Sequence, residues 1–226
     1  MLRIENVDVV GWEAAIRGMR NPKNSWEKSD SSVVDGHSFF VGDNDFALMR
    51  TLANAGTDHG KFMRMIHVQC DVTAPLYWWK EADQYKVGTV TDSCSTMHKI
   101  AAKEFTLDDF SHEHLLGKAV QYNGYVPTSV LECTIGALNE FRKLYLESKN
   151  KVFWWQMIQL LPSSYNQLRT WDLNYAVLKN IYHARKDHKL DECTRSAIGL
   201  NRSSVQNLLP GRRRSECALD VAISTM

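Results

Sequence analysis

The sequence predicts an α+β fold: a few-stranded, mostly antiparallel sheet packed with several helices, the C-terminal half being rich in helix. Three observations predict it. Apolar residues alternate over residues 2–10 and 62–72, the period of half-buried strands. From residue 128 onward the apolar spacing becomes helical. Strand-like and helix-like segments do not alternate as βαβ units, which removes a doubly wound parallel sheet.

Each element has its own signals. Leu2, Ile4, Val7 and Val9 alternate as a first strand. Gly11 opens a short helix, WEAAIRGMRN, which Asn21-Pro22 stops. Residues 22–43 are polar and read as a long loop, a length that in a compact domain is functional or mobile. Asp43-Asn44-Asp45 caps a second helix with Phe46, Leu48, Met49 and Leu52 inward, and Gly56 ends it. Phe62 to Val72 reads as a central strand whose pleat places Arg64 and His67. Pro75 stands at the start of a helix LYWWKEADQYK, where proline is tolerated. Residues 88–96 read as a loop or short extended piece, and residues 105–116 contain a capped turn. Three helices follow: Thr128 to Lys149, broken at Asn150; VFWWQMIQLLP, ended by Pro162; and Thr170 to Lys186, with Leu173, Val177, Leu178, Ile181 and Tyr182 inward.

The chain has 226 residues, enough for one sizeable domain or two small ones. We read residues 1–192 as one α+β domain and 193–226 as an atypical tail. The tail contains no Phe, Trp, Tyr, His or Lys and carries the run Arg212-Arg213-Arg214. Two readings of it stay open: a Ser/Arg-rich disordered segment, or the product of a reading-frame change near residue 193. The formal net charge is +1, so nucleic acid is not an expected partner on overall balance. The N-terminus is charged from its third residue, and no apolar run is long enough to span a membrane. Five scattered cysteines without a CxxC fit reduced thiols, and a cytoplasmic location is expected.

Asp58 to Lys99 is the most informative stretch. It mixes His59, Lys61, Arg64, His67, Lys80, Lys86, His98 and Lys99 with aromatics and ends in hydroxyl residues. Cations neutralise phosphate, Ser93, Ser95 and Thr96 can donate to its oxygens, and Trp78, Trp79 and Tyr85 can stack on a ring. The mixture suits a pocket for something flat and anionic, such as a nucleotide or flavin. The competing reading is an amphipathic helix that buries Leu76, Tyr77 and Trp79 and solvates Lys80, Glu81 and Asp83. A second polar group, Arg169, Asn174, His183, Arg185, Asp187 and His188, lies toward the C-terminus. Asn174, Ile181, Arg185 and His188 share a helical spacing, and an arginine there could clamp a phosphate; a solvated helix end reads equally well.

Other chemistries lack support. His112-Glu113-His114 and the pair His183 and His188 do not have HExxH spacing, and no metal is expected. Cys94 lies four residues from His98 without a protease signature around it. GxSxG, Walker A and GxGxxG motifs are absent.

The layout resembles the flavin-dependent thymidylate synthases. A helix ending in Ala55-Gly56-Thr57-Asp58-His59 precedes a strand, a helix and a serine-containing loop, and a late helix carries Arg185-x-Asp187-His188. The chain is similar also to a group of small phage or prophage proteins that itself resembles these synthases. With Ser95 on the serine of the family's RHRxxSxNExSxRY motif, Tyr85-Lys86-Val87 stands where RHR is expected. Asp92-Ser93 then falls on NE and Met97-His98 on RY, so this motif is kept only at its serine. The late LRxDxHAQ-like element is matched by Arg185, Asp187 and His188, one residue short.

The resemblance implies methylation of dUMP to dTMP with methylenetetrahydrofolate, reduced FAD and NADPH, without a covalent cysteine, in a homotetramer. It implies Arg64, Lys86, Ser93, Ser95 and Arg185 near the nucleotide, and His59, His98, Asn174 and His188 near FAD. The alternative is a non-catalytic scaffold or interaction protein of a mobile element that has lost the flavin site. A single-stranded nucleic-acid binder stacking bases on Trp78, Trp79 and Tyr85 is a third reading.

Overall fold

The computed structural model describes residues 2–34, 38–117 and 123–194. Its elements in chain order are β1 (Arg3–Val10), α1 (Trp12–Arg20), β2 (Ser32–Val34), β3 (Ser38–Phe40), α2 (Asp43–Asn54), β4 (His67–Pro75), α3 (Leu76–Ala82), β5 (Thr89–Ser93), α4 (Thr96–Lys99), α5 (Pro127–Ser148), α6 (Lys151–Leu160), β6 (Asn166–Asn174) and α7 (Tyr175–Arg185), with short 3-10 turns between several of them. The predicted α+β class is the observed one: a four-stranded antiparallel sheet in the order β1-β4-β6-β5, and a separate pair β2-β3.

Backbone bonds fix the register. Leu76 N–H donates to Tyr165 O and Tyr175 N–H to Ile66 O, each at 3.0 Å, so β4 and β6 run antiparallel. Cys94 N–H donates to Leu168 O at 3.0 Å and Asn174 N–H to Gly88 O at 3.3 Å, which pairs β5 with β6 in the same sense.

Two expectations are corrected here. Residues 60–65 form a 3-10 turn, so the strand begins at His67 and Arg64 is not placed by a pleat. The turn packs closely on α1: a Cβ on Gly11, whose φ is +93°, would lie 2.0 Å from Met65 O. A side chain there is excluded by both the backbone and the space. The third C-terminal helix also starts later than its apolar spacing suggests. Residues 166–174 are a strand, and the helix runs only from Tyr175 to Arg185. Asn174 therefore stands at the N-cap and His188 beyond the C-terminus, so Asn174, Ile181, Arg185 and His188 do not share one helical face. The loop read over residues 22–43 contains two 3-10 turns and the β2-β3 pair.

The chain divides into two compact units, the dividing line falling within the strands. The first comprises residues 1–3, 73–83 and 92–169. Its core joins Ile100, Phe105 and Phe110 to Leu131, Leu138 and Met157 of the α5–α6 pair. Asn139 of α5 takes both backbone groups of Phe105, accepting from its N–H at 2.8 Å and donating to its carbonyl at 2.9 Å.

The second unit comprises residues 4–72, 84–91 and 170–226. Trp12, Ile16, Phe62, Ile66, Val68, Cys70, Leu173 and Leu178 are buried in it, and the Trp12 and Tyr175 rings lie 5.2 Å apart. A buried ion pair organises its long loop. Arg20 Nε donates to Asp45 Oδ1 at 2.6 Å, and its other nitrogens reach the carbonyls of Ser25 and Lys28. Asp45 Oδ2 accepts from the hydroxyls of Ser29 and Ser31 and from the N–H groups of Asp30 and Ser31. Burial pushes the Asp45 pKa upward, but the bonds from Ser31, Ser29 and Arg20 outweigh it, and the net shift is downward.

Candidate functional site

The turn before β5 carries the most organised group of candidate residues in the second unit. The N-cap of α7 holds one end of this turn. Asn174 Oδ1 accepts from Val177 N–H at 3.1 Å, and Asn174 Nδ2 donates to Gly88 O at 3.4 Å. Gly88 has φ +81°, and a Cβ there would lie 2.3 Å from Asn174 Nδ2, so the turn needs glycine. The end of α7 holds the other side: Arg185 Nε donates to the Tyr85 hydroxyl at 3.1 Å, with the guanidinium 5.8 Å from the Tyr85 ring centre. Lys86 lies between these two anchors in sequence and is exposed.

Arg185 Nη1 also stands 2.7 Å from His188 Nε2, while Leu190 N–H reaches His188 Nδ1 at 3.2 Å. A neutral imidazole has a single lone-pair nitrogen, yet both ring nitrogens face donors. Arg185 and His188 are half-buried, so they are positioned by the fold and still reachable.

The remaining candidates fall in two other places. His59 and Arg64 flank and occupy the 3-10 turn of the second unit, exposed, and their side chains bond to no other described residue. In the first unit Ser93 is exposed at the end of β5. Ser95 caps α4, its hydroxyl accepting from His98 N–H at 3.0 Å and standing 3.0 Å from His98 Nδ1. Thus Lys86, Asn174, Arg185 and His188 come together around one turn, and Ser95 and His98 pair in another.

The paired tryptophans do not form a stacking platform. Trp78 and Trp79 are 3% and 1% exposed. Trp79 Nε1 donates to Gln167 O at 3.0 Å, and the Arg169 guanidinium covers its ring at 4.3 Å. Arg169 is itself bound to Asp83 at 2.8 Å and Gln167 at 3.0 Å. The amphipathic-helix reading of this segment holds at the buried Trp79 and the exposed Lys80 and Asp83; Trp78 joins the buried side, while Leu76, Tyr77 and Glu81 are half-buried. His112 Nδ1 lies 2.8 Å from Phe110 O, and no group of three His, Cys, Asp or Glu among the described residues is placed to hold a metal ion. Cys94 and Cys133 are exposed; Cys70 and Cys193 are buried. Burial, then Asp71 and Asp172, push the Cys70 thiol up to about 12, so it is inert at neutral pH.

Sequence reading missed Tyr85 as the partner of Arg185 and the His67–Asp172 contact, 2.9 Å between Nδ1 and Oδ1. Both join residues about a hundred positions apart, which periodicity cannot register. Among the described residues no helix is long and apolar enough to cross a membrane.

Comparison with protein-family models finds no match, and neither does comparison with curated protein sequences. Solved structures do match. The flavin-dependent thymidylate synthase ThyX of Helicobacter pylori, complexed with FAD and dUMP, aligns with a TM-score of 0.63 and 17% identity over 95% of this chain and 99% of that one. The UMP/dUMP methylase PolB of Streptomyces cacaoi, bound with 5-Br UMP, aligns with a TM-score of 0.63 and 13% identity over 98% of this chain and 94% of that one. The same methylase with 5-Br dUMP gives 0.62 and 14%, covering 92% of each chain. The chain has the fold of these flavin-dependent synthases and nucleotide methylases.

Proposed function

We propose that this chain binds dUMP and acts as a divergent flavin-dependent thymidylate synthase, methylating dUMP to dTMP as a soluble homo-oligomer. One observation carries the reading: on a fold shared with proteins crystallised with dUMP or 5-Br UMP, Arg185 of the late helix stands beside His188 and holds Tyr85 of the turn that carries the exposed Lys86. A phosphate or uracil oxygen entering there would accept from the Arg185 guanidinium, and Lys86 would add a positive charge. Asn174 acts through the turn it holds.

The fit to FAD can be tested against the side chains. His59, exposed and bonded to no other described residue, fits its pyrophosphate. Trp78 and Trp79, being buried, would not receive its ring. Bound and reduced, FAD would supply the electrons that turn the one-carbon unit of methylenetetrahydrofolate into a methyl group, with NADPH as the reductant.

The burial of both tryptophans favours a second reading, a scaffold that keeps the fold without the flavin chemistry. The visible spectrum of the purified protein, before and after FAD and dUMP are added and free ligand is removed, separates the two. Retained flavin whose spectrum shifts with dUMP supports the synthase. A folded protein that retains no flavin and gives no dUMP heat in calorimetry supports the scaffold.

A further inference from the structure

We propose that the surface formed by α2, the 60–65 turn and α7 binds the phosphate backbone of a nucleic acid without reading its sequence. The near-neutral total charge conceals a local asymmetry. Residues 50–64 and 179–187 together carry six lysines and arginines and two aspartates, with His59 and His183 besides.

The fold brings these segments together at the C-terminal end of α2. Lys179 Nζ donates to Ala53 O at 2.8 Å. A Cβ built on Gly60 would lie 3.8 Å from Ala53 Cα, so His59 and Lys61 enter at the same residue. Arg50 stands one turn back on α2, on the side of Ala53. In a 3-10 turn residues three apart eclipse, which puts Lys61 and Arg64 on one side. Along α7, Lys179, His183 and Lys186 follow at i, i+4 and i+7 and form one stripe. Burial, then Lys179 and Lys186, depress the His183 pKa, so the three side chains share one field.

Arg50, Lys61, Arg64 and Lys186 are exposed, and their side chains bond to no other described residue. Cations left without acids are available to displace the counterions of a polyanion. The α7 stripe spans about 10 Å at ~1.5 Å per residue, roughly three base-pair steps of ~3.4 Å. Met65 is the one large apolar side chain offered to solvent from residues 50–65 or 179–187, at 44% exposure, too little to insert into a bilayer. Tyr182 is half-buried beside His183, so no aromatic platform is offered to bases. These features favour a nucleic-acid backbone over a lipid surface.

The test is fluorescence anisotropy of the full chain with labelled single-stranded and duplex oligonucleotides of two unrelated sequences, titrated across salt. A variant carrying Arg50→Glu, Lys61→Glu and Lys186→Glu is compared, with the three corresponding glutamine substitutions as a milder set. None of these side chains is assigned to the dUMP or FAD site, and circular dichroism checks folding. The wild type is expected to bind both sequences alike. The triple variant should weaken binding at least about tenfold and lower the slope of log K against log salt by about 3, near 0.9 per lost contact. No binding by the wild type at 50 mM salt overturns the proposal. Unchanged affinity and slope in both folded variants overturns it by placing the contact elsewhere, and equal binding to phosphatidylserine vesicles overturns it in favour of a membrane surface.

Discussion

The α5–α6 pair and the loop between α1 and α2 reach order by opposite means. The helix pair is held by apolar burial: Leu138 and Met157 are completely buried, and Phe105, Phe110 and Tyr165 pack ring against ring. Among its described residues the loop from Asn21 to Gly42 buries Val41 alone of its apolar side chains, and it is tied instead to the Arg20–Asp45 ion pair, both members nearly inaccessible. A polar segment can be ordered only if a buried charge gathers enough backbone and hydroxyl partners to replace water. Asp45 gathers five: the guanidinium, two hydroxyls and two N–H groups.

The contrast can be broken in order of expected effect. Asp45→Ala leaves Arg20 buried without its counter-charge and should destabilise the protein by about 3–5 kcal/mol in urea unfolding. Leu138→Ala in the helix pair should cost about 2–5 kcal/mol through lost burial and a cavity. The two separate by pH. A carboxylate with a depressed folded pKa contributes stability above its unfolded value of about 3.9, and loses it as pH falls through the folded value. Stability measured from pH 6 to 3 should therefore fall more in wild type than in Asp45→Ala, whereas Leu138→Ala should parallel wild type. If Asp45→Ala also parallels wild type, the ion pair does not govern the loop.

Arg185→Ala should weaken dUMP binding by about 1.5–3 kcal/mol, the range for hydrogen bonds to charged groups, read by calorimetry. Asn174→Ala should cost about 1 kcal/mol by removing the α7 cap. Its dUMP affinity should fall less than that of Arg185→Ala; an equal or larger fall would place Asn174 in direct contact with nucleotide. The smallest perturbation is thiol labelling of the folded protein at pH 8. Cys94 and Cys133 should react first, and Cys70 only on unfolding, as mass spectrometry would show.

The helix pair was legible because its information is local. Val130, Leu131, Ile135, Leu138 and Phe141 repeat at the helical period; Lys149, in the left-handed conformation, ends α5, and the expected breaker Asn150 instead caps α6, its Oδ1 accepting from Val152 N–H at 3.0 Å. The β6 strand was not legible as such. Trp171 and Leu173 alternate with Thr170 and Asp172, but Leu173, Val177, Leu178 and Ile181 continue the spacing of α7. Pairing with β4 decides between the two, and that pairing joins residues about a hundred positions apart. The 3-10 turn was misread for a related reason: Phe62 is buried as a strand residue would be, yet the turn follows from packing against α1, α2 and α7.

The candidate site divides along the same line. The sequence alone determined the α+β class, the concentration of cations between Asp58 and Lys99, and the Arg185-x-Asp187-His188 element, since composition and short spacing are written in the chain. Only the tertiary structure decided that Trp78 and Trp79 are core, that Asn174 caps a helix, and that Arg185 meets Tyr85 and His188 around the turn ending at Gly88. The physical reason is that burial and hydrogen-bond partnership are set by which distant segments pack together, and a side chain's chemistry is available to a ligand only where that packing leaves it unspent.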